Sequence, residues 1–243
     1  MALDLDGTGD FLSTAASPIS AYPFTMACWF NADNTTTAYG LMEVETTANN
    51  THFHNLAIRG NAGDVVSYQC NGGSTVVTAN TTTTYTAATW YHACSVGRSA
   101  TSRDVYLNGG GKGSSATSRT PVGMDNTKVG NSTTLAALAG LIAEAAIWST
   151  DLSDSDVLAL SSGVSPLQVR PEFLVFYVPI KVLGVTTELV RGTLVTVNGN
   201  PTQAISHPGV RSRVVGTGAF KVAAAAATVV PQIAYHERRR RVA

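Results

Sequence analysis

Charged side chains are scarce in this sequence, since Asp, Glu, Lys and Arg make up only 13% of its 243 residues. Hydrophobic residues make up 44%, so a chain of this length can bury a substantial core and disorder throughout is excluded. Thr, Ser, Gly, Ala and Asn take the place of the charged residues, and this composition favours β-strands with polar turns over surface helices. The composition therefore predicts an all-β protein.

A basic leader and long apolar runs are also missing. The first ten residues carry acids where a signal peptide carries Lys or Arg, which predicts synthesis in the cytoplasm without a cleaved leader. The longest apolar run, residues 222–230, is far shorter than the roughly 20 residues that span a bilayer. No membrane partner is therefore expected.

Cysteine is rare as well, with only three residues and no CxxC pair. Cys28, Cys70 and Cys94 lie in strand-like surroundings, which favours buried free thiols. A disulfide between Cys28 and Cys94 stays open at this point.

Motifs of common enzyme classes are absent, including the Gly-x-Ser-x-Gly elbow, the phosphate-binding loop and His-Glu-x-x-His. Glu43 and Glu45 share a strand face, but such a pair on an exposed strand is typical of a solvated edge rather than a glycosidase. His52 and His54 also share a face and lack a third metal ligand nearby. The sequence predicts a protein that is not an enzyme.

Strand patterns recur with turns between them. Residues 24–30 alternate with a period of two, as in a strand that is buried on both faces or nearly so. Residues 89–96 and 103–109 predict neighbouring antiparallel strands, and the second ends at Asn108-Gly109, a strong hairpin turn. Residues 171–180 predict a buried strand between two prolines.

Residues 138–149 have the composition of a helix, but Gly140 interrupts them and a clearer helix start follows. Ser153 is a natural N-cap, and Asp156 completes a capping box three residues later. Gly163 supplies the C-terminal stop. The sequence therefore predicts a strand over residues 138–149 and one short helix over residues 154–161.

The net charge of zero conceals a strong asymmetry. Residues 1–180 contain 7 basic and 14 acidic residues, and residues 181–243 contain 9 basic and 2 acidic residues. This split predicts a main domain over residues 1–180 and a basic extension over residues 181–243 that seeks an acidic partner. The residues expected to bind that partner are Tyr235, Arg238, Arg239, Arg240 and Arg241. Nucleic acid is a weaker candidate than protein, because the main domain is acidic and contains no known nucleic-acid recognition motif.

Over roughly residues 3–180 the sequence resembles the laminin G-like group of concanavalin A-like jelly-roll domains. The most specific block contains Val129-Gly130, residues 140–148 and residues 152–157, which match the family's "iG" strand, "G-x-I-x-E-x-x-I-W" strand and "L-S-D-x-x-I" helix in that order. The resemblance implies an antiparallel two-sheet jelly-roll sandwich with one short helix and a C-terminal extension.

Family members serve as lectins, adhesion modules, pentraxin-like recognition proteins and accessory domains of phage structural proteins, so the fold carries many functions. Together with the basic extension, the resemblance predicts a non-enzymatic virion structural protein of a bacteriophage. In this hypothesis it is a decoration or cement protein on the capsid surface, and it binds the major capsid protein or other virion proteins as a homo-oligomer, with a trimer suspected. The alternative is a lectin-like carbohydrate-binding module for host attachment.

Aromatic and acidic side chains are the candidates for ligand contact. Tyr39 and Tyr85 lie in Thr- and Asn-rich segments and are the candidates for glycan contact, whereas the strand patterns around Trp29, Trp90 and Trp148 predict core packing. No cofactor is expected. Many family members hold calcium with loop carboxylates, but the loop acids here form no interleaved ligand series, so calcium is a minor alternative. Those loop acids are Asp6, Asp10, Asp33 and Asp125.

Overall fold

The structure is a computed structural model that describes residues 2–180 and 187–210. The strands are β1 (Ala2–Asp6), β2 (Phe11–Thr14), β3 (Phe24–Ala32), β4 (Ala38–Glu45), β5 (His52–Arg59), β6 (Val65–Gly72), β7 (Val77–Thr84), β8 (Tyr91–Ser99), β9 (Ser102–Leu107), β10 (Gly110–Ser115), β11 (Asn126–Val129), β12 (Ala136–Ala137), β13 (Ala139–Trp148), β14 (Leu174–Val178), β15 (Thr196–Asn198) and β16 (Thr202–Ala204). The α-helix α1 spans Asp154–Ser161. Among these described residues, no helix has the length and apolarity needed to cross a membrane.

These strands form two sheets of eight strands each. The first sheet has the order β10-β9-β8-β3-β13-β1-β16, and β14 also pairs with β13. The second sheet has the order β15-β2-β11-β4-β5-β6-β7, and the short β12 pairs with β4 in parallel. All other pairings are antiparallel, so the predicted two-sheet jelly-roll sandwich is confirmed.

The core lies between the two sheets and follows the alternation of the strands. In β3, Phe24, Met26 and Phe30 are fully buried in it, whereas Trp29 on the opposite face is half-exposed. The predicted neighbours β8 and β9 pair with each other in the first sheet. Asn108 closes the turn from β9 to β10 with a left-handed φ of 51°, as the hairpin prediction requires.

The segment around Gly140 is a strand, as predicted, despite its helix-like composition. Gly140 has a φ of 134°, and a Cβ atom there would lie 2.2 Å from the Asn31 carbonyl oxygen. Only glycine permits this close approach of β13 to β3. The strand is therefore determined by its neighbours rather than by helix propensity.

Helix α1 begins with the predicted capping box. The Ser153 hydroxyl accepts a hydrogen bond from the Asp156 backbone N–H at 3.2 Å, and the Asp156 carboxylate accepts one from the Ser153 N–H at 3.1 Å. Val157 and Leu160 are buried in a second cluster with Trp148. This cluster lies on the outer face of the first sheet, which is the face turned away from the second sheet, so part of that face is covered by the helix.

All three cysteines are free and buried. Cys28 belongs to the core between the sheets, whereas Cys94 belongs to the cluster under α1. They lie on adjacent strands, where Cys94 stands opposite Ala27, so their side chains point to opposite faces of one sheet. The disulfide left open by the sequence is therefore not formed.

The predicted boundary after residue 180 is too early. β15 extends the second sheet beside β2, and β16 extends the first sheet beside β1. The buried Glu188 carboxylate accepts hydrogen bonds from the backbone N–H groups of Val190, Arg191 and Thr193 and so shapes the chain before β15. The compact unit runs from Met1 to Arg213, because the first part of the supposed extension completes both sheets.

Candidate functional site

An open cavity of about 310 Å³ lies at the edge of the sandwich, where the start of the chain meets the turn between β15 and β16. We call it the acidic cavity. It is lined by Asp4, Asp6, Gly9, Asp10, Gly199, Asn200 and Thr202. Every lining residue is polar or glycine, and three of them are acidic. Such a lining can accept and donate hydrogen bonds, and it contains no aromatic side chain.

Asp10 holds the two sides of the acidic cavity together. It is buried, and its carboxylate accepts hydrogen bonds from the Asn200 backbone N–H at 2.7 Å and from the Asp6 N–H at 3.3 Å. Gly199 has a φ of 73°, and a Cβ atom there would lie 2.1 Å from Asp10 Oδ1. The contact therefore requires glycine at this position.

The two other carboxylates face solvent. Asp6 accepts hydrogen bonds from the Thr8 hydroxyl, the Thr8 N–H and the Gly9 N–H. These bonds, above all that from the Thr8 hydroxyl, lower the pKa of Asp6 below its ordinary value, because they favour the charged form. Asp4 is half-exposed, and among residues 2–180 and 187–210 its carboxylate accepts only a long contact of 3.5 Å from the Thr202 hydroxyl. Most of its lone pairs are therefore available to a ligand.

The tyrosines predicted to contact glycans are not at the surface. Tyr39 is 5% exposed and its hydroxyl accepts a hydrogen bond from the Asn34 amide at 2.7 Å. Tyr85 is 1% exposed and packs edge-on against Phe30, with ring centroids 5.5 Å apart. Tyr39 lies on β4 and Tyr85 directly follows β7, but both rings are buried in the core between the sheets, so neither can stack on a sugar.

The prediction for the tryptophans holds for only one of the three. Trp148 is fully buried, and its indole N–H donates to the Val169 carbonyl at 2.7 Å. Trp29 and Trp90 are half-exposed instead. Trp90 donates its indole N–H to the Ser206 hydroxyl at 2.9 Å, so it anchors a segment that the sequence assigned to the extension.

The residues expected to bind an acidic partner, Tyr235 and Arg238 to Arg241, lie outside the described residues. The same holds for most of the basic extension. Its anchoring role therefore stays a prediction.

The two glutamates on β4 are buried, in contrast to the expected solvated edge. Glu43 is 0% exposed and accepts hydrogen bonds from the Ser132 hydroxyl and from the N–H and hydroxyl of Thr133, each at 2.7 Å. Glu45 is 4% exposed and pairs with Lys128 at 2.6 Å. The loop between β11 and β12 covers both carboxylates, so neither can reach a bound substrate.

The described residues contain no group of three or more His, Cys, Asp or Glu side chains placed to hold a metal ion. His54 is buried in the core, and its Nδ1 lies 2.8 Å from the Tyr68 hydroxyl. Burial lowers the pKa of His54 to about 3, so its imidazole is neutral.

The sequence singled out Asp6 and Asp10 as loop acids but missed their partners. Gly199, Asn200 and Thr202 lie about 190 residues further along the chain, in the segment assigned to the extension. The turn signal Asn198-Gly199-Asn200-Pro201 marks a hairpin. It does not indicate which surface the hairpin meets.

Comparisons with known proteins agree on the fold. A laminin G-like family model, described as the concanavalin A-like lectin/glucanases superfamily, matches residues 6–158. No curated protein matches the sequence. The native heptameric SAP-like pentraxin from Limulus polyphemus is similar in structure, with a TM-score of 0.57 and 12% identity over 81% of this chain and 93% of that chain.

Two bacterial structures are similar to a comparable degree. Domain 4 of AbnA, an extracellular arabinanase from Geobacillus stearothermophilus solved in complex with arabinotriose, has a TM-score of 0.54 and 20% identity over 66% of this chain and 76% of that chain. A putative carbohydrate binding protein from Bacteroides ovatus has a TM-score of 0.52 and 15% identity over 82% of this chain and 60% of that chain. At these identities the likeness shows the fold. From the family match together with this fold, the chain belongs to the concanavalin A-like lectin/glucanases superfamily.

Proposed function

We propose that this protein is a carbohydrate-binding module that is not an enzyme and that binds its glycan in the acidic cavity. The observation that carries the proposal is an open cavity of about 310 Å³ lined entirely by polar residues and glycine. Membership of a family that includes lectins supports it. So do the similar structures of an arabinanase domain with arabinotriose and of a putative carbohydrate binding protein.

The chemistry of the lining suits sugar hydroxyl groups. A carboxylate accepts hydrogen bonds from hydroxyl donors, and such charge-assisted bonds are stronger than neutral ones. Asp4 has free acceptor capacity, and the Asn200 side chain and Thr202 hydroxyl at the rim are exposed. A bound sugar would therefore find acceptors on the floor of the cavity and both donors and acceptors at its rim.

Hydrolysis of the glycan is not part of the proposal. Glycosidases place two carboxyl groups on either side of the scissile bond. Glu43 and Glu45 are covered by Ser132 and Thr133, so neither is available to flank a glycosidic bond. The proposed role is recognition without bond cleavage.

The virion role predicted from the basic extension remains a separate prediction, since the residues on which it depends lie outside the described ones. A capsid-bound protein can also display a carbohydrate-binding domain, so glycan binding does not conflict with it. The attachment of a phage to a host glycan would combine the two.

The test is a glycan array probed with the full chain, followed by calorimetry on the glycans that bind. Asp4→Asn should weaken binding by about tenfold or more, because a hydrogen bond to a charged group contributes about 1.5–3 kcal/mol. The matched control is Asp125→Asn, which changes an exposed carboxylate at the far end of β2 and β11 and should bind like the wild type. A blank array, or equal losses in both variants, would refute the proposal.

A further inference from the structure

The acidic cavity continues as a row of side chains across the outer face of the first sheet. Asp4 stands opposite Thr202 on one side and opposite Leu141 on the other, and Leu141 stands opposite Asn31. Residues directly opposite each other in antiparallel strands project from the same face. Thr202 is exposed and the other three are half-exposed. The four side chains therefore form one accessible row, which we call the cross-strand row.

One side of this row is closed. The next side chains on the same face are Ala2, two residues before Asp4, and Ala143, two residues after Leu141. Both are fully buried. Residues 205–207 are fixed close to them, because Ser206 accepts a hydrogen bond from Trp90 and His207 Nε2 lies 3.1 Å from Glu144 Oε1. The cross-strand row is thus the floor of a groove with residues 205–207 along one edge.

On the basis of the proposed function, we infer that this groove binds a neutral linear oligosaccharide that lies across the strands, with one sugar in the acidic cavity and the following sugars over Leu141 and Asn31. The groove is long enough for this mode of binding. Neighbouring strands lie about 4.8 Å apart, so the row from Thr202 to Asn31 extends over ~14 Å. This length exceeds a single sugar ring and fits a short chain of them.

Each position in the row offers a contact that a sugar chain can use. The Asn31 amide has no hydrogen-bond partner among residues 2–180 and 187–210, so its donors and acceptor are free. Leu141 belongs to neither of the two hydrophobic clusters and presents an apolar surface to the C–H face of a ring. An apolar residue flanked by polar ones is a common arrangement in ligand sites, where a few polar groups fix the orientation.

Charge determines the class of sugar. Asp4, Asp6 and Asp10 contribute three carboxylates, while the lining of the cavity and the cross-strand row contain no Lys or Arg. Hydrogen bonds from Thr8 keep Asp6 ionised by lowering its pKa. A uronic or sialic acid would bring a like charge into this site, and like charges placed together in an interface are strongly disfavoured. Neutral sugars meet no such penalty.

The experiment measures affinity against chain length and charge by calorimetry on the full chain. The probes are arabino-, cello- and galacto-oligosaccharides of one to four residues, together with oligogalacturonides of the same lengths. We expect at least one neutral series to bind at least tenfold more tightly as trimer than as monomer, and the acidic oligomers to bind at least tenfold more weakly than neutral ones of equal length.

Variants separate the groove from the cavity. Asn31→Ala should weaken trimer binding about tenfold and leave monomer binding unchanged. The matched control is Asn80→Ala, which removes an exposed amide on β7 of the second sheet and should change neither affinity.

The outcomes distinguish the two proposals. If neutral sugars bind with an affinity that is independent of chain length, if Asn31→Ala binds the trimer like the wild type, or if acidic oligomers bind best, the groove inference is wrong and glycan binding stands. If no probe binds and the array is blank, both proposals fail.

Discussion

Glu43 is an ionisable side chain with no exposed surface, and its environment makes stability depend on pH. Burial raises its pKa to about 7, and the nearby charge of Glu45 acts in the same direction against the hydrogen bonds from Thr133 and Ser132. A carboxyl group whose pKa is higher in the folded state binds its proton more tightly there. Its contribution to stability is complete below its ordinary pKa of 4.5 and is lost as the pH rises through 7.

We therefore expect Glu43→Gln to flatten the pH dependence of stability. The amide has the shape of the carboxyl group, can accept hydrogen bonds from Thr133 through its oxygen, and does not ionise. Between pH 5 and pH 8 the wild type should lose up to about 3 kcal/mol more unfolding free energy than the variant, at about 1.4 kcal/mol per pKa unit. Urea unfolding at both values measures this difference.

The control for this measurement is Glu172→Gln, which changes an exposed glutamate and should retain the wild-type profile. The buried histidines His54 and His92 have the opposite effect on the pH dependence of stability. Because both are present in the wild type and in the variant, their effect cancels in the comparison. Burial lowers the pKa of each to about 3, so each destabilises the fold as the pH falls below 6.5. Identical profiles for Glu43→Gln and the wild type would contradict the argument.

At the scale of the element, helix α1 is predicted correctly because its ends are specified by nearby residues. Its start at Asp154, its capping box and its end before Gly163 follow from residues within ten positions of one another, so the sequence predicts them fully. The tyrosines show the reverse. The Thr- and Asn-rich segments around Tyr39 and Tyr85 resemble exposed loops, but the residues that pack against these rings, such as Phe30 against Tyr85, are distant in sequence.

The capping box makes a further prediction. Ser153→Ala removes the hydroxyl that accepts the Asp156 N–H, and the loss of an N-cap costs about 1 kcal/mol. Ser162→Ala, at the exposed C-terminal end of the helix, removes a hydroxyl that donates to the Leu158 carbonyl, but this carbonyl keeps the Ser162 N–H as a donor. It should change stability by less than about 0.5 kcal/mol. Chemical unfolding of both variants measures the two effects. A loss at Ser162 as large as that at Ser153 would show that the cap does not stabilise the helix.

At the scale of the whole molecule, the sandwich could be predicted from the sequence, whereas the site could be predicted only in part. The strand periods, the hairpin at Asn108 and the family block at residues 129–157 fix the fold. Asp6 and Asp10 are recognisable as loop acids. The other wall of the acidic cavity is not, because a pairing between β1 and β16 spans almost 200 residues, and no local pattern specifies it.

The same long-range pairing predicts where the chain can be cut. A chain that ends at Arg213 contains the whole compact unit, so its melting temperature and its affinity for glycan should match those of the full chain. A chain that ends at Ile180 loses β15, β16 and the buried Glu188, and it leaves β1 and β2 as unpaired edges. It should unfold at a markedly lower temperature and lose glycan binding together with Gly199, Asn200 and Thr202.

Circular dichroism melting curves and calorimetry of both shortened chains test this expectation. Asn200→Ala in the full chain separates loss of the site from loss of the fold, since the exposed Asn200 side chain can be removed without breaking the backbone bond to Asp10. This variant should melt like the wild type and bind glycan more weakly. Full affinity in the chain that ends at Ile180 would show that the acidic cavity is not the binding site, because three of its seven lining residues are absent there.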